Sequence, residues 1–90
     1  MDFEYDPQKS EANKISHGMD FEEAKALWND DESIEILLPF GAEPRYMVIG
    51  VIEELYWSAV ITCRESSIRI ISVRRSRRNE RELYDNNKRV

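Results

Sequence analysis

A change of hydrophobic period near residue 33 is the feature that most constrains how this 90-residue chain folds. Before that point, apolar residues recur at helical spacing, as in Phe21, Ala24, Leu27 and Trp28. After it, apolar residues alternate or form continuous runs rich in valine and isoleucine, which is typical of β-strands. The sequence therefore predicts helices first and mostly sheet afterwards.

Capping signals place the first elements. A short strand is expected over Asp2–Tyr5, and the Asp6-Pro7 pair begins a helix that Gly18 ends. Asp20 begins a second helix, because Glu23 three residues later completes a capping box.

Four strands and a last helix follow. The predicted strands are 34–38, 45–52, 55–63 and 68–73, with a loop over 40–44 and a hairpin between the second and third. Ser76 is expected to cap a final helix that runs to about Asn86. The order βααββββα predicts an α+β fold with a mainly antiparallel sheet and helices packed on it.

Length and composition set the class of protein. A chain of 90 residues with 41% hydrophobic content predicts a single domain, 1–90, with one small core. The chain has neither an export signal nor a run of about 20 apolar residues, so we expect a protein that does not span a membrane. Because it has only one cysteine, we also expect a cytoplasmic protein. Cys63 falls in an apolar strand and is interpreted as a core residue.

The charge is unevenly distributed. Residues 1–62 carry 4 basic and 14 acidic side chains, whereas residues 63–90 carry 9 basic and 4 acidic ones. A basic C-terminal third suggests an anion or RNA site or a surface for an acidic partner, and a solvated charge run is the alternative.

Arginines make up most of this basic segment. Their planar fork binds phosphate oxygens in pairs, which lysine does not do. The candidates are Arg64, Arg69, Arg74, Arg75, Arg77, Arg78 and Arg81. Structural pairing with Glu65, Glu80 and Glu82 is the alternative for about half of the seven.

Strand alternation predicts how these arginines divide between the two faces of the sheet. It places Arg69 and Arg75 on one face with Val73, and Arg74 on the other face with Ile70.

Motifs for several other chemistries are absent from the sequence. It contains no Gly-rich phosphate loop, no metal-ligand spacing and no serine nucleophile elbow, so we expect neither a metal nor a cofactor. His17 lies at a predicted helix end, where capping or packing is the alternative to catalysis.

Two long segments carry a family resemblance. The first reads FEYDPQKSEANKISHGMDFEEA over 3–24, and the second reads TCRESSIRIISVRRSRRNEREL over 62–83. With these segments in this order, the chain resembles the BrnT family of bacterial toxins over nearly its whole length. Met19 and Asp20 replace the usual Val-Ser, and Ser76 stands where alanine is common.

The resemblance implies a RelE-like fold and a ribonuclease toxin of a type II toxin-antitoxin system that slows translation. It also implies a BrnA-like antitoxin with a ribbon-helix-helix domain, through which alone the toxin would reach operator DNA. The polar residues carried over from the family are Lys9, His17, Arg64, Arg74, Arg75 and Glu80, with Arg81 beside them.

RNA cleavage without a metal has three tasks: to deprotonate the 2′-hydroxyl, to stabilise the charged phosphorane and to protonate the leaving 5′-oxygen, with a 2′,3′-cyclic phosphate as product. We assign Arg64 with Arg74 or Arg75 to the phosphate, and Glu80 or His17 to proton transfer. Lys9, Arg77, Arg78 and Arg81 are assigned to RNA binding.

Two other functions compete with cleavage. One is a non-catalytic module that binds an antitoxin and acts only in autoregulation of its operon. The other is a plain nucleic-acid binder, which the pI of about 4.9 and the lack of an aromatic stacking platform disfavour.

Overall fold

The chain folds in the predicted element order, and the computed structural model describes residues 1–39 and 41–87. The strands are β1 Asp2–Glu4, β2 Ile34–Leu38, β3 Arg45–Ile52, β4 Leu55–Arg64 and β5 Ser67–Arg75. The helices are α1 Pro7–His17, α2 Phe21–Ala24, which continues as a 3₁₀ helix over Lys25–Asn29, and α3 Arg78–Asn87. Phe40, in the predicted loop, lies outside the described residues.

The described strands form one sheet in the order β1-β5-β4-β3-β2. The pairs β2–β3, β3–β4 and β4–β5 are antiparallel, and only β1 pairs in parallel with its neighbour, β5. The three strands with apolar residues on both faces occupy the interior of the sheet, as expected for such sequences. The predicted α+β class and the mainly antiparallel sheet are confirmed.

The two predicted helix starts are confirmed by their caps. The Asp6 side chain accepts a hydrogen bond from the Gln8 N–H at 2.9 Å, and Pro7 opens α1. At the other end, Gly18 adopts a left-handed φ of 83°, which a residue without a Cβ tolerates. Asp20 and Glu23 form the reciprocal capping box of α2.

The main core lies between one sheet face and the helices α1 and α2. Phe21, Ala24 and Leu27 are buried there, as predicted. Half-buried Trp28 packs against the same cluster and meets Phe3 edge to face, with ring centroids 4.9 Å apart. The sheet contributes Val48, Trp57, Ala59, Ile61, Ile70 and Val73.

A bulge in β5 makes the predicted division of the arginines wrong. Val60 and Ile61 are consecutive residues of β4, but their partners on β5, Ser72 and Ile70, are two residues apart. Strand β5 therefore carries one extra residue, Ile71, at this point. The extra residue shifts the alternation by one position. It places Arg69 and Arg74 on the same face, because their partners on β4 lie four residues apart.

Helix α3 covers part of the opposite sheet face, and its start differs from the prediction. The helix begins at Arg78, and the Glu80 carboxylate accepts the Arg77 backbone N–H at 2.9 Å. Ser76 is buried, and its hydroxyl lies 2.7 Å from that of Ser58 instead of capping the helix. The hydroxyl bonds a strand residue because Glu80 already satisfies the helix N-terminus.

Cys63 is exposed, so the prediction of a core cysteine is wrong. It lies next to the last residue of β4, and the last two residues of this strand are both exposed. An apolar run therefore does not guarantee burial at the end of a strand. In the part of the chain that the structure describes, no helix has the length and apolarity needed to span a membrane.

Candidate functional site

The predicted phosphate-binding arginines lie near opposite ends of β5. Arg64 pairs in register with Ser67 at the start of β5, and Ser58 pairs with Arg74 near its end. On β4 their partners Arg64 and Ser58 are six residues apart, which corresponds to roughly 20 Å of strand. Arg64 also forms an ion pair with Glu43 at 3.5 Å. Arg64 and Arg74 therefore lie toward opposite ends of the β4–β5 pair, each bound to a different acid, and their joint binding of one phosphate stays a prediction.

Arg74 is bound at both terminal nitrogens by Glu80. Its Nη1 and Nη2 donate to Oε1 and Oε2 of the carboxylate at 2.8 and 2.7 Å, a fork-to-fork geometry. The Ser58 hydroxyl and the Arg77 N–H also donate to Oε1, each at 2.9 Å. These hydrogen bonds hold β4 and the end of β5 against the start of α3.

Glu80 is ionised in this environment. Burial, at 5% exposure, raises the pKa of the carboxyl, but the hydrogen bonds from Arg74, Arg77 and Ser58 outweigh burial and lower the pKa to about 2. A carboxylate with so low a pKa is a weak base at neutral pH. Its position suits holding Arg74 better than moving a proton.

Arg75 points to the sheet face that α1 and α2 cover, whereas Arg74 points to the face that α3 covers. Its side chain is exposed, its Nε donates to the Tyr56 carbonyl at 3.2 Å, and its guanidinium carbon lies 5.6 Å from the centre of the Trp57 ring. No residue among 1–39 and 41–87 bonds its terminal nitrogens. Arg75 thus presents a positioned fork with two donor groups open to an anion.

Asn13 holds α1 against the edge of β5 in the part of that strand that β1 does not pair with. Its Nδ2 donates to the carbonyls of Val73 at 2.8 Å and Met19 at 2.7 Å, and its Oδ1 accepts the Val73 N–H at 3.3 Å. The amide therefore substitutes for a neighbouring strand. A polar side chain one helical turn from both Lys9 and His17 was the only sequence signal for this role.

Lys9 and His17 are both exposed and line an open groove of about 230 Å³ between α1 and Ile71 of β5. Gly18, next to His17, lines a second cavity together with Trp57, and the Arg75 guanidinium rests on the Trp57 ring. We call the region of His17, Trp57 and Arg75 the β5 end. It brings one proton-transfer candidate and one arginine fork to the same part of the surface.

Arg77, just before α3, and Arg78 and Arg81 of α3 lie on the other side of the sheet, beside Arg74. Arg77 and Arg78 are exposed, and Arg78 is 3.4 Å from Glu82. Half-buried Arg81 donates to the Ser76 carbonyl at 3.2 Å. These side chains add positive charge on the sheet face opposite to Arg75.

Four of the seven candidate arginines pair with acids, in line with the expected half. The pairs are Arg64–Glu43, Arg69–Glu4, Arg74–Glu80 and Arg78–Glu82. Two of these acids, Glu4 and Glu43, come from distant parts of the sequence that local spacing did not indicate.

Comparison with protein families identifies the class. The model of a family described as "Ribonuclease toxin, BrnT, of type II toxin-antitoxin system" matches residues 5–80. The chain belongs to this family. A comparison with curated proteins gave no match. The matched span contains Lys9, His17, the Arg74–Glu80 pair and Arg75, and ends before Arg81.

Membership in the BrnT family assigns the chain to ribonuclease toxins that act with an antitoxin. For RNA cleavage, the β5 end contains an arginine fork that could bind phosphate and an imidazole that could transfer a proton. Among the described residues, no three His, Cys, Asp or Glu side chains come together as a possible metal site.

Proposed function

We propose that this BrnT family toxin is a metal-independent ribonuclease that cuts RNA at the β5 end and thereby slows translation. The open fork of Arg75 is the observation that carries the proposal, because it is held in place by Tyr56 and Trp57 while its terminal donors stay available. A RelE-like fold and a cytoplasmic location form part of the same proposal.

The chemistry follows from the atoms that change charge. The 2′-hydroxyl of the substrate loses its proton while its oxygen attacks the neighbouring phosphorus, the bond from phosphorus to the 5′-oxygen breaks, and the 5′-oxygen takes up a proton, which leaves a 2′,3′-cyclic phosphate. The Arg75 fork stabilises the extra negative charge of the phosphorane through two donors. His17 is the proton-transfer group, because an imidazole ring can both accept a proton and donate one. Lys9 binds the RNA backbone along the α1 groove.

Arg74 and Glu80 have a positioning role in this proposal. Their ion pair fixes the short connection between β5 and α3, and so sets the direction in which the Arg75 side chain projects from the end of β5. Arg64 lies outside the site. Arg77, Arg78 and Arg81 contribute positive charge that attracts RNA.

The partner is a BrnA-like antitoxin with a ribbon-helix-helix domain. An antitoxin that covers the β5 end with acidic residues neutralises the toxin, and operator DNA is reached only through the antitoxin. The formal net charge of −5 disfavours tight binding of the toxin itself to DNA.

The test is cleavage of bulk RNA by the purified chain in excess EDTA, with analysis of the new 3′ ends. Fragments that end in a 2′,3′-cyclic phosphate support the proposal. A folded protein that leaves RNA intact with and without divalent metal, yet binds its antitoxin, refutes it and favours the non-catalytic module.

A further inference from the structure

A cavity of about 400 Å³ opens beside the β5 end, between the α1–α2 connection and the tip of the β3–β4 hairpin. Its walls include the apolar side chains of Met19, Ile52, Leu55 and Trp57, and two acids, Glu23 and Glu53, lie among its lining residues. The Glu23 carboxylate already accepts hydrogen bonds from Lys14 and from the Asp20 N–H. Ligand sites in proteins commonly enclose about 300–1,000 Å³ and combine apolar walls with a few polar groups. The cavity therefore has the size and character of a site for a flat heterocycle.

Trp57 connects this cavity to the proposed phosphate site. The Trp57 and Arg75 Cα atoms are register partners on neighbouring strands, and such partners lie about 5 Å apart. The Arg75 guanidinium rests over the Trp57 ring, whose residue also lines the cavity. A nucleotide whose phosphate is bound by Arg75 can thus place its own base in the cavity.

Glu53 supplies a polar group at the cavity. It is exposed, and no residue of the described ranges bonds its carboxylate. A carboxylate only accepts hydrogen bonds and repels phosphate, so it recognises N–H donors on the edge of a base. Guanine presents two adjacent N–H donors, N1–H and N2–H, which match the two oxygens of one carboxylate.

The backbone at Glu53 is unusual for this residue type. Glu53 and Glu54 form the two-residue turn of the hairpin with φ angles of 49° and 71°. Turns with two left-handed residues strongly favour Asn-Gly, because other side chains are disfavoured there. Only Glu53 of the two lines the cavity, which makes Glu54 a matched control with the same charge and the same backbone strain.

We propose that this cavity binds a guanine base next to the phosphate held by Arg75, and that the Glu53 carboxylate selects guanine through its N1–H and N2–H. The proposal rests on the proposed ribonuclease function and adds a base preference to it. Apolar walls cover the faces of the base, and the carboxylate reads its edge.

The experiment measures binding without cleavage. Four tetranucleotides with 2′-O-methyl groups throughout carry guanine, adenine, cytosine or uracil at one central position within otherwise identical sequences. Quenching of tryptophan fluorescence reports their affinity for wild type, Glu53→Asn and Glu54→Asn. Asparagine tolerates the left-handed backbone, so both variants are expected to fold at least as well as wild type.

We expect wild type and Glu54→Asn to bind the guanine oligonucleotide about tenfold or more tightly than the other three. Glu53→Asn is expected to bind all four alike. Equal binding of the four by wild type overturns the inference, as does a guanine preference that survives Glu53→Asn. Loss of antitoxin affinity in Glu53→Asn with unchanged oligonucleotide binding also overturns it and assigns the cavity to the protein partner.

A separate outcome concerns the proposed function alone. Guanine-selective binding by a wild-type chain that cuts no unmodified RNA supports the base site while it refutes the ribonuclease proposal. Cleavage of unmodified RNA with no base preference does the reverse.

Discussion

The carboxylate of Glu80 and the guanidinium of Arg74 meet in two parallel hydrogen bonds of 2.8 and 2.7 Å, on the sheet face opposite to Arg75. Two consecutive arginines of β5 therefore have different surroundings. One is bound to an acid beneath α3, and the other extends over an indole with its terminal donors open. This difference separates a stabilising role from a substrate-binding role.

The first prediction concerns pH and Glu80. Its pKa falls from 4.5 in the unfolded chain to about 2 in the folded protein. The unfolded chain thus binds more protons, and the free energy of unfolding should decrease as pH falls from about 5 towards 2, by up to about 3 kcal/mol. Urea unfolding of wild type and Glu80→Gln at pH 7 and pH 3 measures this. The variant should be less stable at pH 7 and should lose less on acidification.

Glu82→Gln is the control for that series, because Glu82 is exposed and pairs with Arg78 on the helix surface. Its effect on stability should stay below about 1 kcal/mol. Equal losses in the two variants would mean that the buried network around Glu80 contributes nothing beyond a surface pair.

The second prediction distinguishes the two arginines by stability. Arg74→Ala leaves a buried carboxylate unpaired and should lower the free energy of unfolding by about 2–3 kcal/mol. Arg75→Ala removes an exposed side chain and should cost under about 1 kcal/mol. Thermal unfolding of both proteins decides the matter, and similar melting temperatures would argue against the distinction.

The third prediction concerns Asn13. Alanine at this position removes three hydrogen bonds and leaves the buried backbone of Val73 without its partners. The loss should be about 2–3 kcal/mol, whereas Asn29→Ala at an exposed position should be near neutral. Hydrogen exchange should show faster exchange of the Val73 amide in Asn13→Ala. An unchanged exchange rate would indicate that α1 is held by other contacts.

The fourth prediction concerns Cys63, whose side chain is exposed at the end of β4. Native protein should react with a thiol reagent such as 5,5′-dithiobis(2-nitrobenzoic acid) promptly and with one equivalent, and Cys63→Ser should not react. Reaction only after addition of denaturant would show that the thiol is buried.

The fold was predictable because its signals are local. The period change near residue 33, the Asp6-Pro7 start, Gly18 and the Asp20 capping box each act within a few residues. The faces of β5 were not predictable in the same way. An extra residue at Ile71 in a strand with apolar residues on both sides leaves no trace in the alternation of residue types.

The candidate site was predictable in its residues and not in its grouping. Arg74 with Glu80 and His17 with Arg75 were all candidates from the sequence. Strand pairing and the buried acid Glu80 decide the surroundings of Arg74, and the register places Arg64 toward the opposite end of the β4–β5 hairpin. The position of Glu53 at the cavity was not predictable from the sequence, since only the fold brings the hairpin tip next to the cavity.

The most direct test of the central claim compares RNA cleavage by purified wild type, Arg75→Ala and Arg64→Ala in EDTA, with growth arrest on induced expression as a second readout. Both arginines are exposed at strand ends, so their loss should affect folding equally little. We expect Arg75→Ala to cleave about 100-fold more slowly or worse and to lose toxicity, and Arg64→Ala to retain the wild-type rate. Full cleavage by folded Arg75→Ala, together with loss of activity in Arg64→Ala, would contradict the location of the site at the β5 end.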